Sequence, residues 1–329
     1  MAPTLYKPFE KLNFSKQFCF LSGTKLQSPE EEVSVFPQWL MQEYGLENKP
    51  FKLLDETMST YKDMKLPCSN FTFSHALEPL EEEIKSAFIS GYDTVIKIPE
   101  LKLFQWIGKM VYGILFNEIR IAIMQQKAKN EEFSLSQSLI HKFSNLHLML
   151  QSLNQPVIFD DNYPWTIRVF RIKSSQDLLN YRDEINTLTF SLGMKDFGII
   201  ACLQDNGTNG IYHKEILDKI NEQPLHLIQF EEICVRFYYS NYLFNRLPEY
   251  TIMPTDEAVY IEGMPLRGVS SKPLFDIWQN KIYGQILANF WKPWGLLLLE
   301  IIKDPEKPMT YLLDENERFR PSGSITLPS

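Results

Sequence analysis

The sequence is poor in the side chains that carry most protein chemistry. Its 329 residues include only 4 cysteines and 5 histidines. Cys19, Cys68, Cys202 and Cys234 are too far apart and too few for a disulfide framework, and read as free thiols in a reducing compartment. Cys202 and Cys234 lie in apolar stretches and read as small buried residues. There is no G-x-S-x-G elbow, which removes the usual signature of a serine hydrolase, and no P-loop or G-x-G-x-x-G, which removes the common phosphate cradles. No cofactor is therefore expected. No apolar run approaches the roughly 20 residues of a membrane span. The longest late run, Gly295 to Leu299 with Ile301 and Ile302, is broken by Glu300. Met1 to Phe20 interleaves Lys7, Glu10, Lys11 and Lys16 where a leader would carry its apolar core, so a cytoplasmic protein without membrane contact is expected. An excess of positive charge is also missing. Lys and Arg number 33 against 41 Asp and Glu, a net charge of -8, which argues against nucleic acid as the main partner.

What is present is an ordinary globular composition, 44% hydrophobic and 22% charged, in a chain long enough for two or three domains. Residues 1–98 are irregular, with a brief alternation at Val33, Val35 and Phe36 and a helix that Pro79 can open and that runs to Phe88. Pro99 opens a long helix in which Leu103, Phe104, Ile107, Met110, Val111, Ile114, Leu115 and Ile119 recur at helical spacing. A second helix from about Ser134 to Leu153 pairs with it as an antiparallel hairpin. Beyond Pro156 the texture changes to β-formers. Trp165 to Ile172, Leu188 to Leu192 and Phe197 to Leu203 read as strands of a meander, with a turn near Gly193. A helix over 225–244, strands at 250–253 and 258–261, a helix over 275–291 and a late hairpin of 296–302 with 309–313 complete the reading. The aromatic cluster Phe237, Tyr238, Tyr239, Tyr242 and Phe244 is read as core, and Trp291 and Trp294 as a packed corner. The expected class is α+β: an N-terminal module at 1–98, a helical hairpin at 99–155, and an α+β domain at 156–329 whose antiparallel sheet is covered by helices.

Three pieces of the first module belong together. They are Cys19-Phe20-Leu21-Ser22-Gly23, then Val33-Ser34-Val35-Phe36-Pro37-Gln38-Trp39-Leu40, then Leu66-Pro67-Cys68-Ser69-Asn70-Phe71 followed by Leu77-Glu78-Pro79-Leu80-Glu81. In order and spacing they resemble a group of bacterial HNH (ββα-metal) endonuclease-like proteins. In that group two C-x-x-C knuckles hold a structural zinc, a Glu-His pair supplies the general base, and an Asn follows the second knuckle. The resemblance places the knuckles at Cys19, Ser22, Cys68 and Phe71, so two of four thiolates are absent. It places the base at Ser34, after Val33, and the trailing Asn at Thr72. Ser34 cannot titrate near neutrality and cannot serve as that base. The packing positions, Phe36, Pro37, Trp39, Leu40, Leu77, Leu80 and Glu81, are retained. Residues 103–123 and 146–159 resemble the segments C-terminal to the module in the same group. The implied protein is a degenerate HNH-like one, without metal or catalytic base.

Other candidates are weaker. His75, three residues before Glu78, and the nearby Asp55 and Asp63 are the residues from which a rearranged metal site could be built. His141 and His147 are six apart and do not share a helix face, and His213 and His226 are isolated in sequence. Glu30 to Glu32 and Glu81 to Glu83 read as solvated acidic runs. Residues 1–100 hold 10 Lys and 15 acidic residues, a balance that works against phosphate approach. The leading expectation is a non-catalytic binding or scaffold protein with an unknown protein partner. A metal-dependent phosphodiesterase and a small-ligand binder acting through the C-terminal domain are the alternatives.

Overall fold

A computed structural model describes residues 4–53, 55–160, 163–268 and 270–327, with the backbone alone at 174–178. The principal elements, in chain order, are β1 (Glu32–Ser34), β2 (Lys65–Pro67), α1 (Glu78–Ser90), α2 (Glu100–Ala128), α3 (Gln137–Leu150), β3 (Val157–Phe159), β4 (Thr166–Glu184), β5 (Thr189–Cys202), α4 (Leu227–Leu243), β6 (Tyr250–Pro254), β7 (Val259–Gly263) and α5 (Asn280–Trp291). The class is α+β. The chain forms two compact units, each assembled from separated segments. The first comprises 1–89, 98–162 and 249–264, and the second 90–97, 163–248 and 265–329. The boundaries therefore differ from those expected at 98 and 155. The helical hairpin is part of the first unit, and the strands β6 and β7 return to it. Among the described residues no helix is long and apolar enough to cross a membrane.

In the first unit β1 and β2 pair antiparallel, with Ser34 opposite Lys65 and Val33 opposite Leu66. The helical stretch that leads into α1 starts earlier than Pro79. Ser69 caps it, its Oγ accepting from the Thr72 amide at 3.2 Å. A π-helical turn over Phe73–Leu77 then passes into α1. Pro79 explains that turn: it has no amide to donate to the His75 carbonyl, and its ring crowds that carbonyl, so the preceding turn widens. α2 begins after Pro99, with Glu100 in its first turn and Lys127 in its last, both suited to the helix dipole. Every residue from Leu103 to Asn117 is buried, so this half of α2 is the centre of the unit rather than a surface helix. Gly113 lets β1 approach: a Cβ there would lie 2.7 Å from Val35 Cγ2. α3 packs on α2 and is capped by Ser136. Its buried His147 donates Nε2–H to the Phe20 carbonyl at 2.7 Å. β3 pairs parallel with β7, and β7 antiparallel with β6.

The second unit is built on β4 and β5, a long antiparallel hairpin running from Thr166 opposite Cys202 to Glu184 opposite Thr189, with register shifts on either side of Ser175. The meander expected here is thus a two-stranded hairpin, and Gly193 lies inside β5 opposite Asn180 rather than in a turn. The reason is packing. Phe230 of α4 lies flat against the strand, and a Cβ would meet its ring at 3.0 Å from Gly193 and 2.4 Å from Gly198. α4 carries the core residues Phe230, Ile233, Phe237 and Tyr239, while Tyr242 is exposed. His226 caps α4, its Nδ1 accepting from the Ile228 amide.

The late hairpin is not formed. Leu298–Ile301 is a helical turn, and the amides of Tyr311 and Leu312 donate to the buried Glu232 carboxylate at 2.7 and 3.1 Å. With these two amides committed to a side chain, the expected ladder to 296–302 is reduced to the Met309 amide on the Ile301 carbonyl, and Leu313 bridges Phe319 instead. α5 starts at Asn280 rather than near 275, because Phe275 is bridged to Phe244 in an extended segment. Trp291 is fully buried and donates to the Ile228 carbonyl, as a packed corner requires.

The seat of Phe230 gives a direct test. Gly198→Ala is expected to lower stability by about 1–3 kcal/mol in chemical denaturation, because a rigid ring occupies the space the methyl needs. An unchanged midpoint would mean that the ring does not rest on that strand.

Candidate cleft at the strand pair and helix of the first unit

The first knuckle segment folds as a tight turn. The Gly23 amide donates to the Cys19 carbonyl at 2.9 Å, and Cys19 N–H to Thr24 O at 2.8 Å. Gly23 has φ +69°, a left-handed conformation that glycine adopts without strain, and the Tyr6 ring covers it at 2.4 Å from any added Cβ. The Phe20 amide donates to the Pro67 carbonyl at 2.8 Å, which lays this turn beside the end of β2. Cys19 and Cys68 are therefore brought side by side, both buried. Their mutual hydrogen bond lowers the Cys19 thiol and raises the Cys68 thiol, as for two acids that share a proton. Ser22 adjoins Cys19 and helps to lower its thiol, while its hydroxyl donates to Thr24 Oγ1 at 3.0 Å.

The fourth member of this cluster is not Phe71. Phe71 is 69% exposed and stacks on His75 with ring centroids 4.1 Å apart. Thr72 points inward instead, its Oγ1 accepting from Cys19 Sγ at 3.5 Å and from Ser69 Oγ at 3.0 Å. Ser69 as the cap sets this. Its Oγ holds the Thr72 amide, and the turn that follows buries Thr72 while Phe71 is directed outward. Two thiols with two hydroxyls do not fit zinc, which takes its tetrahedral structural sites from thiolates and imidazoles.

A cleft of about 570 Å³ opens between the strand pair and α1, bounded by Ser34, Trp39, Lys65, Glu78, Glu81 and Lys109. Ser34 accepts a hydrogen bond from Lys65 Nζ at 2.9 Å, its neighbour across the strands. On the inner wall, Lys109 of α2 donates to the Val35 carbonyl and to Glu81 Oε1, each at 3.1 Å. The other oxygen of Glu81 accepts from Trp106 Nε1 at 3.2 Å. The Lys109 side chain is 5% exposed and that of Glu81 21%, so this ion pair works in a largely dry environment. The cleft presents five carboxylates against three ammonium groups, and no histidine lines it among the described residues.

The remaining sequence candidates are dispersed. Glu78 is in the cleft wall. His75 is outside it, its Nδ1 donating to the Phe71 carbonyl at 3.1 Å. Asp55 accepts from the Thr57 hydroxyl at 2.6 Å and from Gln125 Nε2 at 2.7 Å, and Asp63 accepts from the Thr60 hydroxyl. Among the described residues no three His, Cys, Asp or Glu side chains are grouped as a metal site would need. Sequence reasoning misses Lys65 and Lys109 as cleft residues. Lys65 sits on a strand edge, and Lys109 is a lone charge inside the apolar pattern of α2, which is the one signal that could have found it.

Breaking the buried pair from one side should be costly. Lys109→Met is expected to lose about 3–5 kcal/mol by leaving Glu81 charged and unpaired, and adding Glu81→Gln should recover a large part, since the amide oxygen still serves Trp106. Additive single effects in urea denaturation would show that the pair is not coupled.

No protein family, curated protein or solved structure matches the chain.

Proposed function

We propose that the first unit is an HNH-like module that does not cut nucleic acid and serves as a scaffold for binding. The observation that carries this reading is Ser34. It faces the cleft at the position the resemblance gives to the general base, and Lys65 Nζ occupies its hydroxyl. A serine in that place, without a histidine beside it, has no group to take a proton from water near neutral pH. The order of two paired strands followed by α1 agrees with a strand–strand–helix module. Where a nuclease would use a divalent ion to meet phosphate charge, this cleft has the ammonium of Lys109 already neutralised by Glu81. Glu30, Glu32, Glu78 and Glu82 add negative charge around it. That balance favours a protein partner with a basic segment over a nucleic acid.

The opposing reading is a metal-dependent phosphodiesterase built from His75, Asp55, Asp63 and Glu78. Purified protein assayed for bound Zn, Mn and Mg, and for plasmid nicking with each added ion, separates the two. The expected result is nicking no greater than buffer alone, unchanged by His75→Ala. Stoichiometric metal together with ion-dependent nicking that disappears in His75→Ala would overturn the scaffold reading.

A further inference from the structure

The second unit contains a cavity of about 290 Å³ whose lining includes Tyr212, His213, Glu215, Lys219, Arg236 and Trp278. His213 is isolated in sequence but not in the fold. Its Nε2 lies 2.9 Å from Ser240 Oγ and 3.1 Å from the Arg236 carbonyl, both on α4. Which nitrogen carries the proton is settled by hydrogen-bond accounting. The buried Asp205 carboxylate accepts from Thr166 Oγ1 at 2.7 Å, from the Asn209 amide at 2.8 Å and from Asn209 Nδ2 at 3.0 Å. Asn209 therefore turns its NH2 group to the carboxylate and its oxygen to Ser240. Besides His213, Ser240 Oγ contacts Asn209 Oδ1 and the Phe237 carbonyl, and both can only accept. The single hydroxyl proton goes to one of them, so Ser240 Oγ accepts from His213. Nε2 thus bears the hydrogen, with the Arg236 carbonyl as its second acceptor.

The lone pair of His213 is left on Nδ1, which has no partner among the described residues, on a ring that lines the cavity. Burial first and the Arg236 charge second hold the ring neutral, with its pKa lowered to about 3. Arg236 is itself under-used. Its hydrogen bond to Glu232 is long, 3.4 Å from Nη2, and the Glu232 oxygens are shared with Thr310, Tyr311 and Leu312. Its Nε is buried without a partner. Lys219 pairs with Glu215 of the same wall at 2.8 Å, so these two charges offset each other and Arg236 supplies the remaining positive charge. The rings of Tyr212 and Trp278 complete the wall.

We propose that this cavity binds a small aromatic acid bearing an O–H or N–H donor. The carboxylate meets the Arg236 guanidinium, the ring lies against Trp278 and Tyr212, and the donor bonds His213 Nδ1. Asp205, Asn209 and Ser240 are positioning residues: they fix the tautomer that leaves an acceptor facing the ligand.

Isothermal titration of the full chain with 4-hydroxybenzoate and indole-3-carboxylate tests this. Both probes are expected to saturate one site at millimolar concentration or below. 4-Methoxybenzoate, which lacks the donor, and 4-hydroxybenzamide, which lacks the charge, should each bind about tenfold more weakly or worse. Arg236→Gln should abolish the preference for the acid over the amide, and His213→Phe the preference for hydroxyl over methoxy. Should either variant fail to fold, nitrogen NMR of the unaltered protein reads the same point. The His213 ring is expected to carry its proton on Nε2, with the Nδ1 resonance moving as 4-hydroxybenzoate is added. A proton on Nδ1, or no saturable binding of either probe, would overturn the proposal.

Discussion

An ammonium group buried where two strands meet two helices is the constraint on which the first unit depends. Lys109 lies in the half of α2 that is buried on every side. A charge in that position must be met by an opposite charge and by hydrogen-bond acceptors, or the unit loses several kcal/mol. Glu81 supplies the charge from α1, and the Val35 carbonyl, just beyond β1, supplies the acceptor. Trp106 then completes the carboxylate. One side chain thereby fixes the distance between the strand pair and the helix, and with it the width of the cleft.

The same unit has a second polar cluster, and both are built to be self-sufficient. Cys19 donates to Thr72 Oγ1, Cys68 to the Ser69 carbonyl and Ser22 to Thr24 Oγ1, so each thiol and hydroxyl finds its acceptor within these turns. Lys109 and Glu81 neutralise one another. On the proposed relationship to HNH nucleases, the first of these clusters stands where the structural zinc would be. The apolar shell around them, Phe36, Leu40, Leu77 and Leu80, is buried.

Local patterns in the sequence disclose the elements whose cause is local. The stripe from Leu103 to Ile119 announces α2, and Ser69 as a cap residue announces the helical turn that follows it. The failures share a different origin. A fixed two-residue gap points to Phe71, but the cap at Ser69 starts a helical turn there and rotates Thr72 inward. Gly193 reads as a turn because glycine often marks one; the ring that requires it comes from Phe230, in another element. The strands at 250–254 and 259–263 are legible, but not that β7 pairs with β3 about a hundred residues earlier. The segment 309–313 carries strand-like residues, yet a carboxylate from α4 takes its amides. His213 lacks neighbours in sequence because its partners lie on α4, 23 and 27 residues away. In each case the deciding contact is non-local, and propensity carries no record of it.

If the knuckle cluster is a zinc site lacking two thiolates, the loss can be reversed. Ser22→Cys with Thr72→Cys would add two sulfurs beside Cys19, which already neighbours Cys68. The double variant, purified in the presence of zinc and then dialysed, is predicted to retain one zinc per chain by elemental analysis and to melt at a higher temperature than its parent. Ser22→Cys with Phe71→Cys should not, since residue 71 points to solvent. Failure of the first variant to hold zinc, or equal retention by the second, would contradict the claim that these segments form an HNH-type knuckle pair.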